Sequence, residues 1–202
     1  VNNTNSGTAI IGATNSTFTP QSANAGTTFY YCIISQTGSV GCSVTSAVAE
    51  VIIQISPVIV NQPDSSTVCV NGTPTVLSFT YSNGSGTPTY QWFSNATNSN
   101  TGGTLISGAT NATFNPPALI SGTVYYYCVV TFPALSGGCA IINTNPAEVI
   151  VNDNPIVANE SDTICSTNSF TIAPTNSGSN VVPIGTTYTW TNSNPAIGLA
   201  AS

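Results

Sequence analysis

The 202-residue chain contains no Lys, no Arg and no His. Six acidic residues are its only charged side chains, so the net charge is −6 and 3% of residues are charged, where an ordinary soluble protein has roughly 25%. Each absence removes a class of function. Without cationic side chains there is no footprint for a nucleic-acid backbone and no polybasic contact with an anionic membrane. Schiff-base lysines, histidine bases, histidine metal ligands, phosphate-gripping lysines and arginine fingers are all missing. No side-chain salt bridge can form, and neither can a Lys–Asn or Lys–Asp isopeptide cross-link. Methionine is absent too. No apolar run approaches the roughly 20 residues that a membrane-spanning helix requires, so membrane insertion is not expected.

What remains is apolar enough to fold. Hydrophobic residues make up 41% of the chain and mean hydropathy is +0.21, unlike the low hydrophobicity and high net charge of disordered segments. Asn, Ser, Thr and Gly fill the stretches between apolar runs. Six cysteines, at 32, 42, 69, 128, 139 and 165, with no metal-type C-x-x-C and no His, point to disulfides and an oxidising, extracellular setting. There is no initiator Met, and residues 1–20 show no charged or long apolar leader, so a processed product or a section of a longer polypeptide is expected.

Internal similarity is the dominant signal. Gly12-Ala13-Thr14-Asn15-Ser16-Thr17-Phe18 recurs as Gly108-Ala109-Thr110-Asn111-Ala112-Thr113-Phe114, and Phe29-Tyr30-Tyr31-Cys32 as Tyr125-Tyr126-Tyr127-Cys128. Gly41-Cys42 recurs as Gly138-Cys139, and Ala49-Glu50-Val51-Ile52 as Ala147-Glu148-Val149-Ile150. Pro57, Asn61 and Asp64 recur as Pro155, Asn159 and Asp162. Cys69 recurs as Cys165, and Tyr90-x-Trp92 as Tyr188-x-Trp190. The period is 96–98 residues, the size of one small domain. Three units follow: residues 1–54 as the C-terminal half of a module, 55–151 as a complete module, and 152–202 as the N-terminal half of a further one.

Within the complete module, apolar and polar residues alternate with period 2 in segments rich in Val, Ile, Thr and Tyr, set off by Gly, Asn, Pro and Ser. No 3.6-residue stripe suggests a helix. Strands are predicted at 57–61, 67–70, 75–81, 88–94, 104–107, 112–115, 122–132 and 139–151. That number of short strands in about a hundred residues is expected of an all-β, antiparallel immunoglobulin-like sandwich. The residues resemble that fold in detail. Trp92, in Thr89-Tyr90-Gln91-Trp92-Phe93, resembles the core Trp of strand C. Tyr126-Tyr127-Cys128 resembles the Tyr-x-Cys of strand F, with Tyr126 as the tyrosine corner. Phe79 then takes the strand B cysteine position, so the inter-sheet disulfide of antibody domains is replaced by an apolar side chain. Trp190 is the matching core residue of the third unit.

The cysteines allow more than one pairing. Cys32 with Cys42, and Cys128 with Cys139, flank short loops, and hairpin pairing of strands F and G would let each pair staple its hairpin. The rival partner for Cys139 or Cys128 is Cys69. Without a neighbouring cation to lower its pKa, no thiol reads as catalytic. The acids (Glu50, Asp64, Glu148, Asp153, Glu160, Asp162) are sparse. They read as turn and surface residues; Ca²⁺ at the module junctions is the rival reading and is not favoured, because hard cations need several such oxygens together. No cofactor is implied, and no carboxylate pair suggests glycosidase chemistry.

Strand parity sends Tyr30, Tyr90, Trp92, Tyr126, Tyr188 and Trp190 inward. Phe29, Tyr31, Phe93, Tyr125 and Tyr127 go outward, where they would pair across strands or, as a surface contact, stack on sugar rings or a neighbouring chain. Asn-x-Ser/Thr sequons begin at Asn2, Asn15, Asn71, Asn83, Asn95, Asn111 and Asn159, but in so Asn-, Ser- and Thr-rich a chain they carry little weight.

Taken together, Thr89–Phe93, Gly108-Ala109-Thr110, Tyr126–Thr131 and Gly138-Cys139 resemble the Ig-like repeats of giant cell-surface adhesins of Bacteroidota. These are the SprB-like gliding adhesins and related proteins exported by type IX secretion. Asp162–Cys165 and Gly185–Thr191 resemble the PKD-like repeats of the same proteins. The resemblance implies a non-enzymatic, extracellular, tandem-repeat stalk or filament that projects or transmits force to a binding end, in gliding or surface attachment. Its partners would be adjacent modules of the same chain, and polysaccharide or neighbouring filaments if the modules themselves bind through outward aromatics. An ancillary β module of a secreted enzyme is the third reading. The resemblance also implies O-glycosylation at Thr163, within Asp162-Thr163-Ile164. A chain without Lys or Arg offers trypsin-like proteases no cleavage site, which suits a durable exposed spacer.

Overall fold

The computed structural model describes residues 7–38, 41–133, 141–165, 168 and 171–193. Every regular element among them is a strand. Residues 7–54 contain β1 (Gly26–Tyr30), β2 (Ile33–Ser35), β3 (Ser43–Thr45) and β4 (Ala49–Ile53). The central unit contains β5 (Val58–Asn61), β6 (Ser66–Cys69), β7 (Leu77–Ser78), β8 (Thr80–Ser82), β9 (Thr89–Asn95), β10 (Thr104–Leu105), β11 (Thr113–Phe114), β12 (Gly122–Thr131), β13 (Ile141–Asn143) and β14 (Ala147–Asn152). The predicted strands fall on these elements, with two refinements. The segment 75–81 is interrupted at Phe79, and 139–151 is divided between β13 and β14.

The central unit has two layers. One is a six-stranded sheet in the order β10-β9-β12-β14-β6, with β13 continuing alongside β12. Its pairings are antiparallel except β14 with β6, which run parallel. The other layer is built around the 77–82 segment: β8 pairs with β5 and β7 with β11, both antiparallel. Alternation along β12 turns Tyr126, Cys128 and Val130 into the space between the layers, and Phe132 just beyond the strand joins them; Trp92 joins from β9 and Val149 and Val151 from β14. Leu77 and Phe79 come from the second layer. Burying apolar side chains from both layers is the main stabilising term, at roughly 25 cal/mol per Å² of apolar surface.

The core is aromatic at its centre. Phe79 meets the edges of both Tyr90 and Trp92, with ring centroids 5.9 Å away in each case. Phe114 stacks on Trp92 at 5.7 Å and tilts against Tyr126 at 5.4 Å. Phe79, Trp92 and Tyr126 are therefore core residues, as expected. Trp92 also donates its indole N–H to the Asn111 carbonyl at 2.9 Å, which satisfies the one polar atom that its burial would otherwise strand.

The division between β13 and β14 has a local cause. Pro146 has no N–H for the ladder, and Thr144 and Asn145 bulge ahead of it. Thr144 is fully buried. Its hydroxyl accepts the Cys128 N–H at 2.9 Å, while its own N–H donates to the Cys128 carbonyl at 3.0 Å. Residues 7–54 repeat this feature. There the Cys32 N–H donates to the Ser46 hydroxyl and the Ser46 N–H to the Cys32 carbonyl, at 2.9 and 2.8 Å. The β1–β4 register places Tyr30 opposite Ala49 and Phe29 opposite Glu50, as β12–β14 places Tyr126 opposite Ala147 and Tyr125 opposite Glu148. The Phe18–Tyr30 contact at 5.6 Å likewise echoes Phe114–Tyr126.

After β14 the described residues form no further named strand. Ile156 and Val181 make an isolated antiparallel bridge, one residue away from the spacing of Val58 opposite Ser82. Trp190 corrects its expected core placement: it is 62% exposed, whereas Trp92 is 0% exposed. Trp92 is covered by β12 and by Phe114, which lie about 20 to 40 residues after it. Trp190 has no such elements after it among the described residues.

Candidate functional surface

The outward face of the six-stranded sheet is where a binding residue would stand. It is formed by Gln91, Phe93 and Asn95 on β9, Tyr125, Tyr127 and Val129 on β12, and Glu148 and Ile150 on β14. Parity places Tyr127 outward as expected, yet it is only 3% exposed, which corrects its reading as a surface contact. The cause is the loop between β9 and β10. Phe93 lies flat against Tyr127, with ring centroids 5.2 Å apart and planes 9° apart. The Gly103 N–H donates to the Tyr127 hydroxyl at 3.2 Å. Glycine is required at 103, because a Cβ there would stand 2.7 Å from the Ser94 carbonyl and 2.9 Å from the Tyr127 ring.

That loop is held without any charge. Asn95 donates to the carbonyls of Ser99 and Thr101, both at 3.1 Å, and accepts the Thr97 N–H at 3.2 Å. Asn100 donates to the Thr144 carbonyl at 3.2 Å, and Asn143 donates back to the Asn100 carbonyl at 2.9 Å. Beyond the loop, Gln91 donates to the carbonyls of Trp92 and Ile106 at 2.9 and 2.8 Å, tying β9 to the segment after β10. Neutral amides thus pin the loop over the sheet, where it buries Tyr127 beside a partly exposed Phe93.

The other outward aromatics are half-buried. Tyr125 donates its hydroxyl to Glu148 at 2.7 Å. That bond comes first among the causes holding the phenol above its ordinary pKa, followed by desolvation and the negative charge of Glu148. Phe29 stands at the matching position opposite Glu50, where no phenol can make this bond. Tyr31 is half-exposed and packs close to Gly7. A second feature is a shallow apolar groove of about 430 Å³ at the Asn152 end of the sandwich, where Leu119, Ile120 and Val124 are exposed beside Gly122 and Val151.

The thiols are not placed as expected. Cys32 and Cys42 are free and exposed. The β2–β3 hairpin sets Cys42 opposite Gln36 and Cys32 opposite Ser46. Four residues of strand, ~13 Å, separate the two positions, whereas a disulfide needs Cα atoms about 4.4–6.8 Å apart. Cys128 is a free, fully buried core residue opposite Trp92, which removes it as a hairpin staple. Desolvation pushes its thiol up to about 12, and a buried thiol of that kind is chemically inert. Its expected partner, Cys139, lies outside the described residues. Cys69 is exposed and free on the edge strand β6, opposite Asn152. Thr163 is exposed, and its N–H donates to the Asp162 carboxylate at 2.8 Å.

Among the described residues no group of three or more Cys, Asp or Glu could hold a metal ion, and no helix is long and apolar enough to cross a membrane. Burial also pushes Tyr90 up to about 12, with the Tyr81 hydroxyl adding to the effect. No curated protein matches the chain. Residues 61–153, which run from the end of β5 through β14, match a family described as Domain of unknown function (DUF8696).

Proposed function

We propose that the chain is a structural repeat segment, a stalk or filament, of a large extracellular bacterial adhesin, projecting or transmitting force to a binding end. The observation that carries this reading is the recurrence of one pairing pattern. β1 with β4 and β12 with β14 share register, aromatic contact and the Ser or Thr hydroxyl that accepts the cysteine N–H. Repetition of a whole packing unit, with each unit contacting its neighbours, is how solenoid and array proteins gain length. The side-chain chemistry fits a passive role: the Cys128 thiol is sealed in the core, the acids are scattered, and no basic side chain is present. The cell-surface setting and the link to gliding or type IX export rest on the resemblance to Bacteroidota adhesin repeats.

The rival reading, in which outward aromatics bind polysaccharide, loses its strongest residue in Tyr127, which the 96–103 loop covers. The test is twofold. Immunogold labelling of intact cells with antibodies against the chain is expected to mark surface filaments; labelling only after lysis would overturn the proposal. A glycan array probed with the chain is expected to stay silent. Binding that disappears in Tyr125→Ala would transfer the function to the sheet face.

A further inference from the structure

The apolar groove at the Asn152 end of the central unit has Tyr126 and Val151 buried at its floor and Pro117, Leu119, Ile120 and Val124 exposed along its rim. The loop that carries the rim is fixed, because the Asn71 N–H donates to the Ala118 carbonyl at 2.7 Å. One repeat earlier the four rim positions hold Gln21, Ala23, Asn24 and Thr28. The apolar rim is therefore particular to the central unit and is not a demand of the repeat.

The turn that follows the same junction differs in the same sense. Ile156 and Val181 exchange backbone hydrogen bonds at 2.8 Å. That bridge sets the Pro183–Gly185 turn beside the entry to the third unit, as the 83–87 turn stands beside Val58 in the central one. Thr186 closes the turn by donating its N–H and its hydroxyl to the Pro183 carbonyl at 3.2 and 2.7 Å. Gly185 takes a φ of 86° there, which a side chain would resist. Ile184 is left fully exposed at the tip, where the repeat spacing places Gly86 in the central unit. Gly86 is exposed as well, although the central unit has its full set of strands, so the exposure of this tip belongs to the turn itself.

We infer that Ile184 docks into this groove, so that the turn of the third unit plugs the end of the central unit. An apolar rim and an apolar tip occur together at one junction, and a polar rim and a glycine tip at the other. The connector argues that the occupant is this turn and not a separate molecule. Four residues, at most ~14 Å, separate Asn152 from Ile156. The Asn154 side chain donates to the Val70 carbonyl at 3.2 Å, which holds the connector against the central unit. So short a tether keeps the tip at high effective concentration over the groove. Docking removes from water apolar surface of Ile184, Leu119 and Ile120 that is open in this structure. This junction is then stiff, and the preceding one, with Asn24 and Gly86 in place of Ile120 and Ile184, is free to bend. A stalk requires length, not stiffness at a particular junction. The inference thus goes beyond the stalk reading, and failure of the contact leaves the surface labelling to decide that reading.

Methyl NOE spectroscopy of the full 202-residue chain tests the contact. Cross-peaks are expected between the methyls of Ile184 and those of Leu119 and Ile120, unchanged on dilution. The amides of residues 171–188 should share the rotational correlation time of the central unit. Ile120→Asn, which makes the rim resemble that of the first unit, and Ile184→Ala alter exposed side chains on opposite sides of the junction. Each is expected to abolish the cross-peaks and to shorten the correlation time of 171–188, with the core amides of the central unit unshifted. Absence of the cross-peaks in the wild-type chain, or a correlation time that neither variant shortens, would overturn the proposal. Cross-peaks that arise only between labelled and unlabelled chains would also overturn it, and would assign the groove to a second copy.

Discussion

Thr144 offers a sharp test of how an uncharged chain holds its strands. Its hydroxyl accepts the Cys128 N–H at 2.9 Å at a site that is fully buried, where the strand bulges and no backbone carbonyl takes that proton. Thr144→Val keeps the shape and removes the acceptor. A buried donor left unsatisfied costs about 1–3 kcal/mol, and for a unit of this size each kcal/mol lowers the melting temperature by about 4–8 °C. Thr144→Ser keeps the acceptor and loses only a methyl, at a cost of about 1 kcal/mol; Ser46 makes the same bond beside Cys32. Because the two energies overlap, the deciding measurement is amide hydrogen exchange at Cys128. Protection should be lost by orders of magnitude in Thr144→Val and kept in Thr144→Ser. Retained protection in the valine variant, or a destabilisation below about 0.5 kcal/mol, would refute the role assigned to the hydroxyl.

Three further outcomes follow from the chemistry of the core and surface. The Cys128 thiol is held up to about 12 from 9.0. The native state thus favours the neutral thiol, and its contribution is complete below about pH 9 and lost as pH rises toward 12. Urea unfolding between pH 8 and 10, before the tyrosines contribute much, should show a falling stability that flattens in Cys128→Ala; an unchanged slope would contradict the burial. Native maleimide labelling should modify Cys32, Cys42, Cys69 and Cys165 and spare Cys128, and labelling of Cys128 without denaturant would show that the core opens. Melting should also shift little between low and high NaCl, since no cationic side chain exists for salt to screen from an acid. A strong shift would reveal an electrostatic term that the structure does not contain.

What was legible in the sequence was local or repeated. Period-2 alternation located the strands, and the repeat aligned Tyr90-x-Trp92 and Tyr126-x-Cys128 with their copies. The same parity that turns Tyr126 inward also turns Cys128 inward two residues later, so the core thiol could have been found. The Gly-Cys after each loop suggests a facing partner and so points to a hairpin staple. The bulges at Ser46 and Thr144 set hydroxyl residues opposite Cys32 and Cys128 instead. Tyr127 was harder to foresee, since what buries it is a loop whose only sequence trace is Gly102-Gly103 among Asn, Ser and Thr. Trp190 shows the limit of repeat logic: the same Tyr-x-Trp motif leaves its tryptophan 62% exposed where no strand covers it among the described residues.

The missing cations bear on the design of the whole unit. Long charged side chains commonly cover a sheet face and tie loops down through ion pairs; here short neutral amides and hydroxyls perform both tasks. Asn95, Asn100 and Asn143 fix the 96–103 loop through backbone carbonyls at 2.9–3.2 Å, Gln91 ties β9 to the Ile106 carbonyl beyond β10, and Thr144 completes the ladder at the bulge. These bonds are directional and fixed at short range, so they tolerate substitution poorly but respond little to ionic strength. The same bonds hold the loop that covers Tyr127 on the sheet face. A module of this composition has few ways to make an accessible charged site and several ways to hold its shape, and the proposed spacer role draws on that balance.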